Sequence, residues 1–183
     1  MTWLIVLIVI VVVVGLVVLF LYNGLINKRN RVENAWSQID VQLKRRHDLI
    51  PNLVETVKGY AAHERGTLDA VVQARNAAIS ATGPVATAQA ENQITGALRQ
   101  LFALSEAYPD LKANQNFLSL QEELSATEGR VAYARQFYND SVLTYNTGIQ
   151  KFPAALIATR MGFKSREYFE ADEDARDTPT VQF

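Results

Sequence analysis

Cysteine does not occur in this 183-residue chain. Its absence excludes disulfides, thiolate catalysis, cysteine-ligated zinc and lipid attachment through cysteine. Histidine is nearly absent as well: His47 and His63 are the only two, and they stand far apart. That spacing argues against a histidine metal site within one chain. Neither charge sign is in excess, the formal net charge being −1, whereas a general nucleic-acid binder carries a basic surplus. Beyond one valine-rich run there are no repeats and no low-complexity stretches. No catalytic, cofactor-binding or metal-ligating residue set is expected, and no nucleic-acid partner.

What the chain has is apolar sequence, 49% of its residues, much of it in the first 22 positions. Residues 3–22 read WLIVLIVIVVVVGLVVLFLY with no charge. A helix of that length spans about 30 Å, the thickness of a bilayer's hydrocarbon core. Lipid offers no partner to a bare peptide group, so the run is expected to be helical despite its valines. Trp3 and Tyr22 sit at its two ends, where amphipathic rings favour the membrane interfaces. A cleaved signal peptide is the rival reading. It would call for a basic n-region, a shorter apolar core and a small-residue cleavage site, and none is present. Lys28, Arg29 and Arg31 follow the run and no Lys or Arg precedes it. The positive-inside rule then puts the following domain in the cytoplasm and the short N-terminus outside.

Beyond the anchor the apolar period is helical. In 30–81, Val32, Trp36, Ile39, Leu43, Ile50, Leu53 and Val57 recur in steps of three and four, continuing to Leu68, Val71 and Ile79. Pro51 interrupts this seam, removing a backbone donor and crowding the preceding turn. A kink or break is expected at 47–51, dividing the segment into two helices. A tighter reversal at Ala61–Gly66 is the alternative, although the apolar period runs through it. Gly83-Pro84 marks a turn, 85–107 a third helix, Tyr108-Pro109-Asp110 another turn, and 115–150 a fourth helix with its own seam from Phe117 to Tyr145. Short connections favour antiparallel neighbours. The fold class is therefore all-α, an N-terminal transmembrane helix followed by a long-helix antiparallel four-helix bundle. The organisation reads as an anchor at 1–27, a bundle at 28–163 and an acidic, flexible tail at 164–183.

The polar residues on these apolar faces are the candidates for function. His63-Glu64 opens the zinc-protease pattern H-E-x-x-H, but Thr67 stands where the second histidine belongs. Arg46 occupies a seam position that calls for an apolar side chain. One reading is a basic patch on anionic lipid. The preferred reading is a guanidinium entering the bundle to pair with Glu123 or Glu128 of the fourth helix. Arg45, one position off the seam, is expected to be exposed. Asn52, Asn76, Asn139 and Asn146 are expected to form interhelical hydrogen bonds, an amide-lined pocket being the alternative. Glu122, Glu123 and Glu128 could act as paired carboxylates, but no nucleophile, ligand set or Gly-rich loop accompanies them. At the end of the chain, Val181 and Phe183 could add a short strand to a partner, or simply fray.

Several blocks together resemble one family. They are Tyr22-Asn23, Lys28-Arg29-Asn30, RRHDLIPNLVETVKGYAAHE at 45–64, Ala74-Arg75-Asn76 and Tyr108-Pro109-Asp110-Leu111-Lys112-Ala113-Asn114. Glu122-Glu123-Leu124 with Thr127-Glu128, AYARQFYND at 132–140, Tyr145-Asn146, Phe152-Pro153 and Met161-Gly162-Phe163 complete the set. The chain resembles the LemA family over nearly its whole length. The resemblance implies a single-pass bacterial membrane protein with a four-helix bundle and its N-terminus outside the cytoplasmic membrane. It implies no agreed biochemical activity; one branch is implicated in building magnetosome membranes. The leading expectation is a non-enzymatic scaffold whose partners are the bilayer and further copies of itself. The second is an adaptor recruiting a protein partner through its bundle surface or acidic tail.

Overall fold

A computed structural model describes residues 1–170. Six helices occur among them: α1 (Thr2–Lys58), α2 (Arg65–Ser80), α3 (Pro84–Ser105), α4 (Pro109–Lys112), α5 (Gln115–Gln150) and α6 (Ala155–Ala158). No strand is present among the described residues, so the fold is all-α. The chain forms two compact units, and α1 and α5 each supply helix to both.

The first unit comprises residues 1–38 and 136–167. Its α1 portion begins with the apolar run, exposed at every position from 3 to 17. Among the described residues, α1 is the one helix long and apolar enough to cross a membrane. Packing starts where the run ends, and Leu25 is the first buried side chain. From there α1 and α5 run antiparallel. The Tyr138 ring stands edge-on to Trp36 at 5.4 Å, the Arg31 guanidinium lies 5.3 Å from the Phe137 ring, and the Lys28 side chain lies over Gly148.

The stretch 164–167, part of the acidic tail, keeps its side chains exposed while its backbone is held against α5. Asn146 is buried and acts as a two-point clamp. Its Nδ2 donates to the Arg166 carbonyl at 2.9 Å, and its Oδ1 accepts from the Arg166 N–H at 2.9 Å. The Tyr138 hydroxyl donates to the Glu167 carbonyl at 2.9 Å, and the Arg166 guanidinium reaches Glu33 at 3.2 Å. A buried amide and a buried phenol both need partners, and the chain after α6 supplies them. Asn146→Leu is therefore expected to lose about 1–3 kcal/mol of local stability. Hydrogen exchange of the amides at 164–168 would report it as lost protection. Burial raises the Tyr138 pKa above its usual value of 10.0, with Glu167 adding to the rise and Arg166 opposing it. A raised folded-state pKa favours the neutral phenol. Its contribution is complete below pH ~10 and falls away as the pH climbs through the raised value, so the same amides are expected to lose protection in alkali.

The second unit comprises residues 39–135 and, of the described residues beyond the first unit, 168–170. It is a four-helix bundle of α1 from Ile39, α2, α3 and α5 to Arg135, with the short α4 between α3 and α5. Ile50, Leu53, Val71, Ile94, Leu101 and Phe117 form its centre, each nearly inaccessible. The Phe102 ring meets Phe117 edge-on at 6.1 Å. α1 and α5 are antiparallel here too, since Arg45 lies near Glu123 while the Asn114 amide donates to the Tyr60 hydroxyl. The seam hydroxyl Thr127 of α5 donates to the carbonyl four residues back, which permits its burial, and Ser141 does the same on the α5 portion of the first unit. Gly83 has φ +86, a conformation that favours glycine, and Pro84 starts α3.

The expected break at Pro51 is not there. α1 passes through Pro51 and ends at Lys58, and the chain reverses over 59–64. Proline leaves the carbonyl four residues earlier, on His47, without its helical donor. Arg75 of α2 fills that vacancy, its Nε–H donating to the His47 carbonyl at 2.8 Å. Pro51 itself is exposed, so its ring disturbs no packing. The apolar period continues past the true helix end because Ala61 is buried inside the turn. Arg75→Met should cost about 1.5–3 kcal/mol, the range for a charge-assisted hydrogen bond. The loss should shrink in a Pro51→Ala background, where the helix recovers its own donor. Thermal unfolding of the four variants in micelles checks this coupling.

Candidate functional site

The most polar interior point of the second unit lies where α1 faces α3. Arg46 sits on the buried stripe of α1 between Leu43 and Ile50, and Glu91 on that of α3 before Ile94. The two stripes bring opposite charges together in the bundle. Arg46 Nη1 donates to Glu91 Oε2 at 3.0 Å, and Nη2 donates to Thr95 Oγ1 at 2.9 Å. His47 Nε2 donates to Glu91 Oε1 at 2.6 Å. Side-chain exposure is only 4% for Arg46, 6% for Glu91 and 11% for His47. Both carboxylate oxygens of Glu91 are thus engaged by donors adjacent in sequence on α1. Arg46 Nε has no hydrogen-bond partner among the described residues.

Two cavities flank Arg46. The larger, about 260 Å³, is lined by Thr95, Arg99, Gln121, Ser125 and Glu128 over an apolar floor of Leu98, Phe102 and Leu124. The smaller, about 160 Å³, adds Asn92, Arg135 and Phe169. Arg46, Thr95 and Glu128 border both. The arrangement can hold a charged group between arginines and a carboxylate. Among the described residues no cluster of three His, Asp or Glu side chains could hold a metal ion.

The partner of Arg46 is therefore Glu91, not Glu123 or Glu128. Glu123 lies 3.9 Å from Arg45, both about half-exposed, a pair worth at most about 1 kcal/mol. Glu128 is exposed at the cavity mouths, and Glu122 is exposed on α5. The four asparagines do not act alike. Asn52 and Asn76 are exposed, so they do not tie helices together from within; Asn76 accepts from its neighbour Arg75 at 3.5 Å. Asn139 is half-buried with a partner, and Asn146 clamps an extended segment rather than another helix. Trp3 is exposed and Tyr22 packs against Phe163 at 5.7 Å. Lys28, Arg29 and Arg31 all lie in the first unit, with Arg29 4.0 Å from Glu33. Val181 and Phe183 lie outside the described residues.

Sequence reasoning missed Glu91 and Arg75. The signal for Glu91 was available: a carboxylate at 91 shares one helix face with Ile94, Leu98 and Leu101. A second polar pair went unnoticed at the far turn, where the Tyr108 hydroxyl donates to Glu64 at 3.0 Å. That bond to a carboxylate is the chief reason the Tyr108 pKa is raised.

A helical bundle whose buried charges compensate one another, together with a helix that begins as a candidate membrane span, defines the class: an all-α protein with an apolar N-terminal helix as a candidate membrane anchor. The LemA family model matches residues 35–183, and the chain belongs to the LemA family. It is 30% identical over 158 residues to Protein LemA of Metamycoplasma hominis, covering 84% of this chain and 71% of that protein. It is also similar to Magnetosome protein MamQ of Magnetospirillum gryphiswaldense, 27% identical over 186 residues, covering 87% of this chain and 68% of that protein. Two MamQ proteins of Paramagnetospirillum magneticum match to the same extent.

Proposed function

We propose that this chain is a membrane-anchored, non-enzymatic helical scaffold that self-assembles and organises or remodels the bilayer holding it. The observation that carries the reading is the continuity of α1. The apolar run and the first bundle helix are one element, Thr2–Lys58, with no linker between them. A continuous helix leaves no flexible linker after the apolar run, so the part of the first unit that follows the run is held close to the membrane. The buried polar groups support the non-enzymatic part, since Glu91, Asn146 and Tyr138 are all occupied in holding segments together. The membrane-organising part draws on the relatives named as magnetosome proteins. The basic residues after the run support a cytoplasmic bundle.

Self-association is tested by mass measurement of the full chain in lipid nanodiscs across a wide concentration range. Oligomers that persist on dilution support the scaffold, and a strict monomer overturns it. Crosslinking in cells distinguishes the adaptor. Self-crosslinks support the scaffold, whereas one dominant heterologous partner without self-crosslinks replaces it with recruitment.

A further inference from the structure

Building on the reading that residues 3–22 cross a bilayer, we infer that residues 151–164 form a second membrane contact. They make an interfacial foot seated in anionic lipid headgroups beside the point where α1 leaves the membrane. All the observations lie within the first unit. The Phe163 ring is buried and stands edge-on to Tyr22 at 5.7 Å, which fixes one end of the segment at the last ring of the apolar run. The other end is fixed by Gly148, where a Cβ would lie 2.8 Å from Lys28 Nζ. Helical rise from Tyr22 to Lys28 is roughly 9 Å. The headgroup layer outside the hydrocarbon core is about 5–8 Å deep. The segment therefore runs alongside the part of α1 that passes through the headgroups.

Its two faces differ. Ala154, Ala158 and Phe163 are buried against the unit. Phe152 is 82% exposed, Leu156 65% and Met161 42%. These side chains are largely without protein cover, and Phe163 ties their segment to the end of the span. Lys151, Arg160 and Lys164 are exposed among them, and Lys28 and Arg29 face the same level from α1. Charge is concentrated here too. The first unit holds seven Lys and Arg against three Asp and Glu, a formal +4, in a chain whose total is −1. Apolar side chains rimmed by cations are the composition of interfacial membrane elements. The cations match the negative surface of a leaflet rich in anionic lipid. A span and an interfacial foot on one unit would also resist tilting of α1, which a lone helix does not.

Because the chain has no cysteine, single-cysteine variants of the full protein test this directly. Phe152→Cys, Leu156→Cys and Met161→Cys are labelled with an environment-sensitive fluorophore in nanodiscs of phosphatidylcholine and phosphatidylglycerol. Leu19→Cys serves as the reference within the span and Asp140→Cys as the exposed reference on α5. Circular dichroism confirms that each variant is folded. Lipid nitroxides near the headgroup are expected to quench the three foot positions several-fold more than position 140, with blue-shifted emission. A mid-chain nitroxide should quench position 19. If 19 is quenched but the foot positions match 140, the foot is overturned and the span stands. If 19 is not quenched, the spanning reading itself fails. Crosslinking through position 152 to a second copy, with protection from lipid quenchers, overturns the foot in favour of a protein interface. Replacing phosphatidylglycerol with neutral lipid, or introducing K151E, R160E and K164E together, should lower quenching at 152 and 156 and leave 19 unchanged. Unaltered quenching at the foot would overturn the anionic-headgroup assignment.

Discussion

Glu91→Ala is expected to destabilise the second unit by about 3–5 kcal/mol, the cost of leaving a buried charge without its partner. The carboxylate serves two donors from α1, Arg46 at 3.0 Å and His47 at 2.6 Å. Without it the Arg46 guanidinium keeps Thr95 as its one hydrogen-bond partner among the described residues, where its Nε has none. Some of the loss is offset where water enters the adjacent cavities, which places the outcome nearer the lower figure. Glu91→Gln should fall between alanine and the native residue, because the amide oxygen can still accept one of the two bonds. Glu123→Ala is the contrast. Its pair with Arg45 is long and half-exposed, so a change within about 0.5 kcal/mol is expected. The pair Arg46→Met with Glu91→Leu should cost less than either charge-removing single change, since it removes both buried charges and leaves only the His47 Nε2–H without its partner. Hydrogen-exchange free energies of α3 amides, in the full chain held in micelles, would measure these variants and the single changes Arg46→Met and Glu91→Leu. A Glu91→Ala loss no larger than that of Glu123→Ala would show that the buried triad does not hold α1 to α3.

The ends of α3 and α5 were legible because glycine and proline mark them. Gly83-Pro84 and Pro109 are local signals, and the helix read at 115–150 is the observed Gln115–Gln150. Pro51 misled because its consequence depends on a residue of another helix. A proline in a helix breaks it when the freed carbonyl finds no donor, and that donor, Arg75, lies 28 residues downstream of His47. The same limit applies to Arg46. Its position on the seam announces that it needs a carboxylate, but the spacing of one helix cannot say which neighbour supplies it. Two candidates on α5 were plausible by position, and the partner came from α3. The docking of 164–167 was hidden for another reason. Acidic composition describes side chains, whereas the contacts at Arg166 and Glu167 are made through backbone atoms. The candidate site was thus half legible: Arg46 was identified from the sequence, and Glu91, Thr95 and the cavities beside them follow from helix rotation in three dimensions.

The apolar composition of residues 3–22 sets how many substitutions would dislodge this candidate anchor from a membrane. Residues 3–22 include seventeen Leu, Ile, Val and Phe side chains. At roughly 0.3–0.6 kcal/mol each on an insertion scale, they favour the membrane by about 5–10 kcal/mol, with the lower end applying because residues near the interfaces count for less. One arginine at the centre opposes insertion by about 2.5–3.5 kcal/mol. Val12→Arg alone should therefore leave the protein membrane-bound, with a measurable fraction released by alkaline extraction. Val12→Arg with Val13→Arg opposes insertion by about 5–7 kcal/mol, enough to cancel the lower estimate and release most of the protein. The bundle is expected to stay folded when this happens. Val12 and Val13 lie in the exposed stretch of α1, and the core around Ile50, Ile94 and Phe117 draws nothing from them. Fractionation of membranes with carbonate, followed by hydrogen exchange on the released double variant, reads both outcomes. Native α3 protection in the released protein would show that the anchor locates the bundle without folding it. A double variant that stays in the membrane fraction as firmly as the native chain would mean that residues 3–22 are not what holds the protein there.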